Sequence, residues 1–203
     1  ETPLEEVLAS EMIAWPLTKL MCSVNVDGAA ATVLVSERKA RELGLGRAVR
    51  VRGSALASDP WESRNGVLMN TNSVTRLAVA TAYEMAGVGP QDLNLVELHD
   101  CFATAELLHY ENLGLCGEGE AGALIDSGDT ALGGRIPVNV SGGLLSKGHP
   151  IGATGVANIV EIVMHLRGEA GARQVAGARL GLAHVLGFGV GVGAAGVHIL
   201  ERA

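Results

Sequence analysis

The chain has 203 residues and is 48% hydrophobic, enough for one large domain or a domain and a half with a substantial core. Aromatics make up only 3% while glycine reaches 28 residues, so the interior must be built from Ala, Val, Leu and Ile with many close backbone approaches, as in tightly packed α/β layers. A formal net charge of −7 without a basic cluster excludes a general binder of nucleic acid or of anionic membranes, and no apolar run reaches transmembrane length.

Thr2-Pro3-Leu4-Glu5-Glu6 carries a candidate N-cap, a proline at the first helical position and acids in the first turn, which predicts a helix ending before Pro16. Asp27-Gly28 is a turn, residues 29–35 read as a buried small-residue strand, and Ser36 can cap a helix over 37–43. Gly44-Leu45-Gly46 breaks the chain, and strand-like alternation over 48–57 opens a second unit. Residues 58–72, with Pro60, Trp61 and Asn65-Gly66, read as a mobile or ligand-facing loop. A helix follows from Ser73 with Val74, Leu77, Ala78, Ala82 and Met85 on its apolar stripe, stopping at Gly87-Val88-Gly89-Pro90. A strand over 93–98 then delivers His99-Asp100-Cys101-Phe102 at its C-terminal edge, where ligands sit in open α/β sheets, and a helix runs over 103–113.

The glycine-rich acidic connection over 114–134, with Asp126 and Asp129, reads as a solvated loop and not as a metal site. Residues 136–155 read as strand, loop, loop, helix. A β-branched run ends in Ser141-Gly142-Gly143, and Gly148-His149-Pro150 presents an imidazole from a stiffened turn, suited to moving protons near neutral pH. The helix over 156–166 is expected to point Val156, Ile159, Val160, Val163 and Met164 inward. Residues 180–187 and 190–200 form a hairpin of buried strands, with His184 where the first strand enters the turn.

Cys22, Cys101 and Cys116 show no CxxC spacing, and the start of the chain has neither a positive n-region nor an apolar h-region, so a reducing, cytoplasmic setting is expected. The chain begins without Met on a helix-like stretch, as if cut from something longer. Strand ends thus offer His99 with Cys101, His149 and His184. A cysteine among imidazoles points to thiol chemistry, because an imidazole can lower a thiol pKa or carry its proton. Zinc is the competing reading, but no CxxC, HxxxH or HExxH spacing supports it, and no metal is expected. Cys22 and Cys116 are expected to be inert packing residues. Ser141-Gly142-Gly143 could cradle phosphate through backbone N–H groups, although no GxGxxG or GxxxxGK[ST] pattern is present.

The ordered set Asp27-Gly28-Ala29-Ala30-Ala31, Glu97-Leu98-His99-Asp100-Cys101-Phe102, Tyr110 to Cys116, Val140 to Gly155 and Leu166-Arg167-Gly168-Glu169-Ala170-Gly171 resembles thiolases of the sterol-carrier-protein type. The resemblance implies a layered α/β thiolase fold: the tail of the N-terminal lobe over 1–44, and a complete C-terminal lobe, a mixed sheet between helices, over 45–203. It implies making or cleaving a carbon–carbon bond beside a coenzyme A thioester, with coenzyme A as substrate or product and no resident cofactor. The acyl-accepting cysteine of the family would lie in an N-terminal lobe outside this sequence, supplied by the same precursor or by another chain. By resemblance, His149 activates that cysteine, Cys101 removes or returns the α-proton, and His99 orients a water or the thioester oxygen. Ser141, Gly142 and the 58–72 loop would contact acyl-CoA, and a homodimer is expected.

Many thiolases begin a Cys-x-Gly motif on the final hairpin, where this chain has His184-Val185-Leu186-Gly187, as the sterol-carrier-protein type does. His184 is therefore read as pocket-lining, and backbone N–H groups near Leu186 as possible oxyanion donors. Two other readings stay open. One is a thiolase-like retro-aldol lyase for steroid side-chain CoA thioesters, whose kind relies on active-loop tyrosines, whereas Tyr83 and Tyr110 fall here in predicted helices. The other is a non-catalytic acyl-CoA-binding or scaffold subunit.

Overall fold

A computed structural model describes residues 2–58, 72–187 and 193–203. The predicted loop over 58–72 falls almost wholly outside the described residues. At the centre lies a four-stranded mixed sheet in the order β3 (Val49–Ser58), β6 (Ala194–Arg202), β5 (Leu180–Gly187), β4 (Leu95–Glu97). β3 and β5 flank β6 antiparallel, which confirms the terminal hairpin, and β4 joins β5 in parallel.

Alternation along the strands sorts side chains to two faces. Val96, Leu182 and Ile199 join a larger core with helix α3 (Asn72–Ala86), α4 (Ala103–Asn112) and α5 (Ala121–Asp126). Their neighbours Leu95, Ala183 and Leu200 face Ile162 and Leu166 of helix α7 (Thr154–Arg167). The sheet is thus sandwiched between helices, as expected, and each fully buried Leu or Ile contributes ~1.5–3 kcal/mol. α7 lies close: a Cβ at Gly181 would stand 2.7 Å from Ile162 Cγ2.

The helix faces differ from the apolar stripes read in the sequence. α3 buries Val74, Thr75, Ala78, Val79, Ala82 and Ala86, while Leu77 and Met85 are exposed. α7 buries Asn158, Glu161, Ile162, His165 and Leu166, leaving Val156, Val160 and Met164 half-buried. The polar members offset the cost of burial with specific partners: Asn158 Nδ2 donates to His184 O at 3.2 Å, and His165 Nδ1 accepts from Val175 N at 3.1 Å.

The first helix, α1, is only Leu4–Ala9, because the chain turns into a two-stranded ribbon, β1 (Met12–Ala14) with β2 (Leu17–Thr18). α2 (Glu37–Glu42) forms as predicted, its N-cap Ser36 accepting from Lys39 N at 3.1 Å. Residues 29–35, expected as a buried strand, form no strand and have no strand partner among the described residues, with Val33 90% and Leu34 81% exposed. Residues 136–140 meet the sheet as an isolated bridge, Val138 opposite Val96, with Val96 N donating to Pro137 O at 3.0 Å and Asn139 N donating to Val96 O at 2.9 Å, and Asn139 then turns to φ 50°. The acidic connection is not only solvated loop: α5 interrupts it and buries Ala121 and Leu124.

Candidate active site

β4 ends in the buried Glu97, and the next four residues are held individually. Leu98 N donates to Asn139 Oδ1 at 2.8 Å, and His99 N donates to His184 Nδ1 at 3.5 Å. The carboxylate of Asp100 accepts from Leu144 N at 2.8 Å and Leu145 N at 3.4 Å, capping the short helix α6 (Gly143–Lys147). A Cβ at Gly143, whose φ is 62°, would overlap that carboxylate, so glycine is required on both steric and conformational grounds. The Glu97 carboxylate accepts from Ser141 N at 3.2 Å and Ser141 Oγ at 2.6 Å, and Lys147 Nζ donates to Ser141 Oγ at 2.7 Å. Ser141 therefore ties two loops together with its hydroxyl already engaged, while Gly142 is exposed beside it.

The two loops bring His99 and His149 together, their ring centroids 4.9 Å apart and edge to face. His149 Nδ1 lies 2.8 Å from Thr154 Oγ1, whose own proton goes to Pro150 O at 3.0 Å. With that proton on Pro150 O the hydroxyl accepts from the ring, an assignment that places the hydrogen of His149 on Nδ1 and leaves Nε2 as the basic nitrogen. Cys101 is half-buried on the same loop as His99, and its carbonyl accepts from Ser23 N at 2.9 Å.

Behind this pair lie two imidazoles that no surface faces. His184 is 1% exposed on β5, and its ring centroid is 4.4 Å from that of His109 on α4. His109 had no motif to betray it; its only sequence signal is a histidine on the inward side of a helix beginning just after the His-Asp-Cys-Phe stretch. His184, read as pocket-lining, is buried in the core of the described residues. His99 Nδ1, His109 Nδ1 and His184 Nε2 are buried without hydrogen-bond partners among the described residues. Leu186 lies opposite Ala195 in the ladder, half-buried against the larger core.

Burial keeps this cluster uncharged. It pushes His99 down to about 4, helped by His149 and His109 nearby, and His109 down to about 4. His184 is held well below the ordinary histidine value, by burial first and then by His109 and His99. Burial also lowers His149, against an upward pull from Asp100. The Cys101 thiol is raised by burial and then by Asp100, so it keeps its proton near neutral pH. Glu106, whose carboxylate accepts from Tyr110 Oη at 2.6 Å, is raised to about 7 by burial, with Asp100 and Glu97 adding to it.

An open cavity of about 660 Å³ lies in front of His149, lined by Asn25 to Gly28 and His149 to Gly152. Among the described residues no group of three or more His, Cys, Asp or Glu is placed to hold a metal ion, and no helix is long and apolar enough to cross a membrane. Cys22, expected to be a packing residue, pairs through its backbone with Phe102 beside the Cys101 loop, while Cys116 packs against the larger core. The arrangement offers a basic imidazole nitrogen, on His149, at the edge of an open cavity, with the neutral His99 ring and the protonated Cys101 thiol on the adjoining loop, the equipment for moving a proton.

The family described as "Thiolase C-terminal domain-like" matches residues 63–202. Sterol carrier protein 2 of Rattus norvegicus is 45% identical over 193 residues, covering 93% of this chain and 35% of the relative. The acetyl-CoA acetyltransferase of Methanothermobacter thermautotrophicus is 45% identical over 204 residues, covering 98% of this chain and 51% of that protein. Among solved structures, an Ltp2-ChsH2(DUF35) aldolase chain superposes with a TM-score of 0.79 at 27% identity, covering 99% of this chain and 51% of that one. The chain thus spans about a third to a half of the length of the curated relatives it matches.

Proposed function

The chain belongs to the thiolase family, through its C-terminal domain, and from that premise we propose that it is the C-terminal part of an acyl-CoA acyltransferase that makes or cleaves a carbon–carbon bond next to a coenzyme A thioester. The observation that carries the reading is the convergence of His99 and His149 from separate loops, with the Cys101 thiol on the His99 loop. His149 Nε2 takes the proton of an acyl-accepting cysteine supplied by an N-terminal lobe. The protonated Cys101 thiol gives the α-carbon its hydrogen in cleavage and recovers it in condensation. His99, neutral because it is buried, orients a water or the thioester oxygen. The acyl-CoA occupies the cavity before His149, with Ser141 and Gly142 at its flank.

The N-terminal lobe is supported by residues 29–35. This apolar stretch makes no main-chain hydrogen bond among the described residues, as a strand would when its sheet belongs to other polypeptide. In this reading residues 1–44 form the tail of that lobe, residues 45–203 are the second lobe, and the active enzyme is a homodimer.

Retro-aldol cleavage is the second reading, favoured by the aldolase likeness. Against it, both tyrosine hydroxyls are already engaged: Tyr83 Oη donates to Leu113 O at 2.9 Å and Tyr110 Oη to Glu106 Oε1 at 2.6 Å. The test is to combine this chain with a thiolase N-terminal lobe carrying the reactive cysteine and to assay acetoacetyl-CoA cleavage. Turnover is expected only for the combination, and it should be lost in His149→Ala and Cys101→Ser. Stable association without turnover would refute the acyltransferase reading, and acyl-CoA binding alone would then describe a non-catalytic subunit.

A further inference from the structure

One extended stretch of the tail, residues 22–26, runs between the two loops that carry Cys101 and His149. On one edge Ser23 N donates to Cys101 O at 2.9 Å, and Cys22 pairs antiparallel with Phe102. On the other edge Val24 O accepts from His149 N at 2.8 Å, Val26 N donates to His149 O at 3.5 Å, and Asn25 pairs in parallel with His149. Successive residues of an extended chain send their main-chain groups to opposite edges. Ser23 therefore serves the Cys101 loop, while Val24 and Val26 serve the His149 loop. With this stretch as the middle strand, the two loops stand two strand spacings apart, roughly 9.5 Å.

Two glycines permit the fit. A Cβ at Gly28 would stand 2.7 Å from Pro150 Cβ, and one at Gly148 would stand 2.8 Å from Val26 Cγ2. Tail and His149 loop interlock without room for another methyl group on either side.

We propose that residues 22–28 are a positioning strap that sets the separation and register of Cys101 against His149. The proposal rests on the roles given to those two residues above. Strap residues act through the loops by main-chain bonds. The strap runs directly into the exposed stretch over 29–35, so whatever seats that stretch also aligns the two reacting groups.

The test uses Gly28→Ala in the full chain, read by amide hydrogen exchange and by the rate at which iodoacetamide modifies Cys101. Overpacking at Pro150 should raise exchange at the His149 amide on the order of tenfold. The Ser23 amide, on the far edge of the strap, should rise with it, and Cys101 should alkylate faster, while β5 amides stay unchanged. Gly28→Ala combined with Pro150→Gly should restore protection at Ser23. Should Gly28→Ala fail to fold, Ser23→Pro removes the bond to Cys101 O from the other side and should raise exchange at His149. If either variant loosens one loop and leaves the other unmoved, or loosens neither, the strap is refuted. None of these readouts requires turnover: an inactive reconstituted complex leaves the strap standing, and independent loops leave the acyltransferase reading standing.

Discussion

Replacing His109 by Phe isolates the energetic cost of the buried histidines. Phe keeps an aromatic edge against His184 and removes a ring nitrogen that has no hydrogen-bond partner, so at pH 7 the substitution should change stability by no more than about 1 kcal/mol. Acid separates the two proteins. The His109 pKa is about 4 in the fold, against an ordinary histidine value of 6.5 for the unfolded chain. As pH falls through that window the unfolded chain binds a proton that the fold refuses, and wild-type stability drops. Integrated from pH 7 to pH 5, this single ring costs the wild type ~1.8 kcal/mol, a cost the Phe variant does not bear. Glu106, raised to about 7, works in the opposite sense and gains on acidification, so a single protein's pH profile mixes both effects. The difference between variant and wild type cancels Glu106. Urea melts of both proteins at pH 7 and pH 5 should show the variant's midpoint advancing by about 1 M relative to wild type. A difference that stays constant with pH would mean that His109 titrates normally, and the account of the neutral imidazole cluster would fail.

Thr154→Val tests the assigned tautomer of His149. Losing the acceptor for Nδ1–H should cost ~1–2 kcal/mol and shift the ring hydrogen toward Nε2, visible in the side-chain nitrogen spectrum; an unchanged spectrum would remove the assignment. Arg173→Leu leaves Glu161 without its two-pronged partner at 3.0 and 3.2 Å. Because the Arg173 side chain is 45% exposed, the expected loss at pH 7 is ~1–3 kcal/mol and not the full cost of breaking a buried pair. The Glu161 carboxyl is held below its usual range by the His165 ring beside it and then by Arg173. The stabilisation is therefore present above the unfolded carboxylate pKa and fades as pH falls through the lowered value, and the Arg173→Leu deficit should shrink in acid.

Much of the site was legible locally. Gly142-Gly143 and Gly148-His149-Pro150 announce tight turns because glycine and proline restrict or release φ on their own account, and the chain does turn there. The Ser36 cap and the terminal hairpin were readable for the same reason. Asp100 was visible only as part of a motif. That it caps α6 and excludes a side chain at Gly143 depends on two segments distant in sequence meeting in space. His109 could not be found, since a histidine inside a helix reads as surface until the sheet beneath it is known.

The same division runs through the whole chain. Caps, turns and strand alternation follow from backbone preferences within a few residues, and these were decided before any packing. Which helix face is buried was decided by the sheet: α7 presents Asn158, Glu161 and His165 inward because groups on β5 and in the 173–175 loop meet them there, while Val156 and Val160 remain half-covered. For residues 29–35 the apolar, β-branched composition was right for a strand, yet a strand takes its hydrogen bonds from neighbours. With no sheet beside it among the described residues, that stretch stays exposed and outside any strand, because ladder pairing is a property of two segments and never of one.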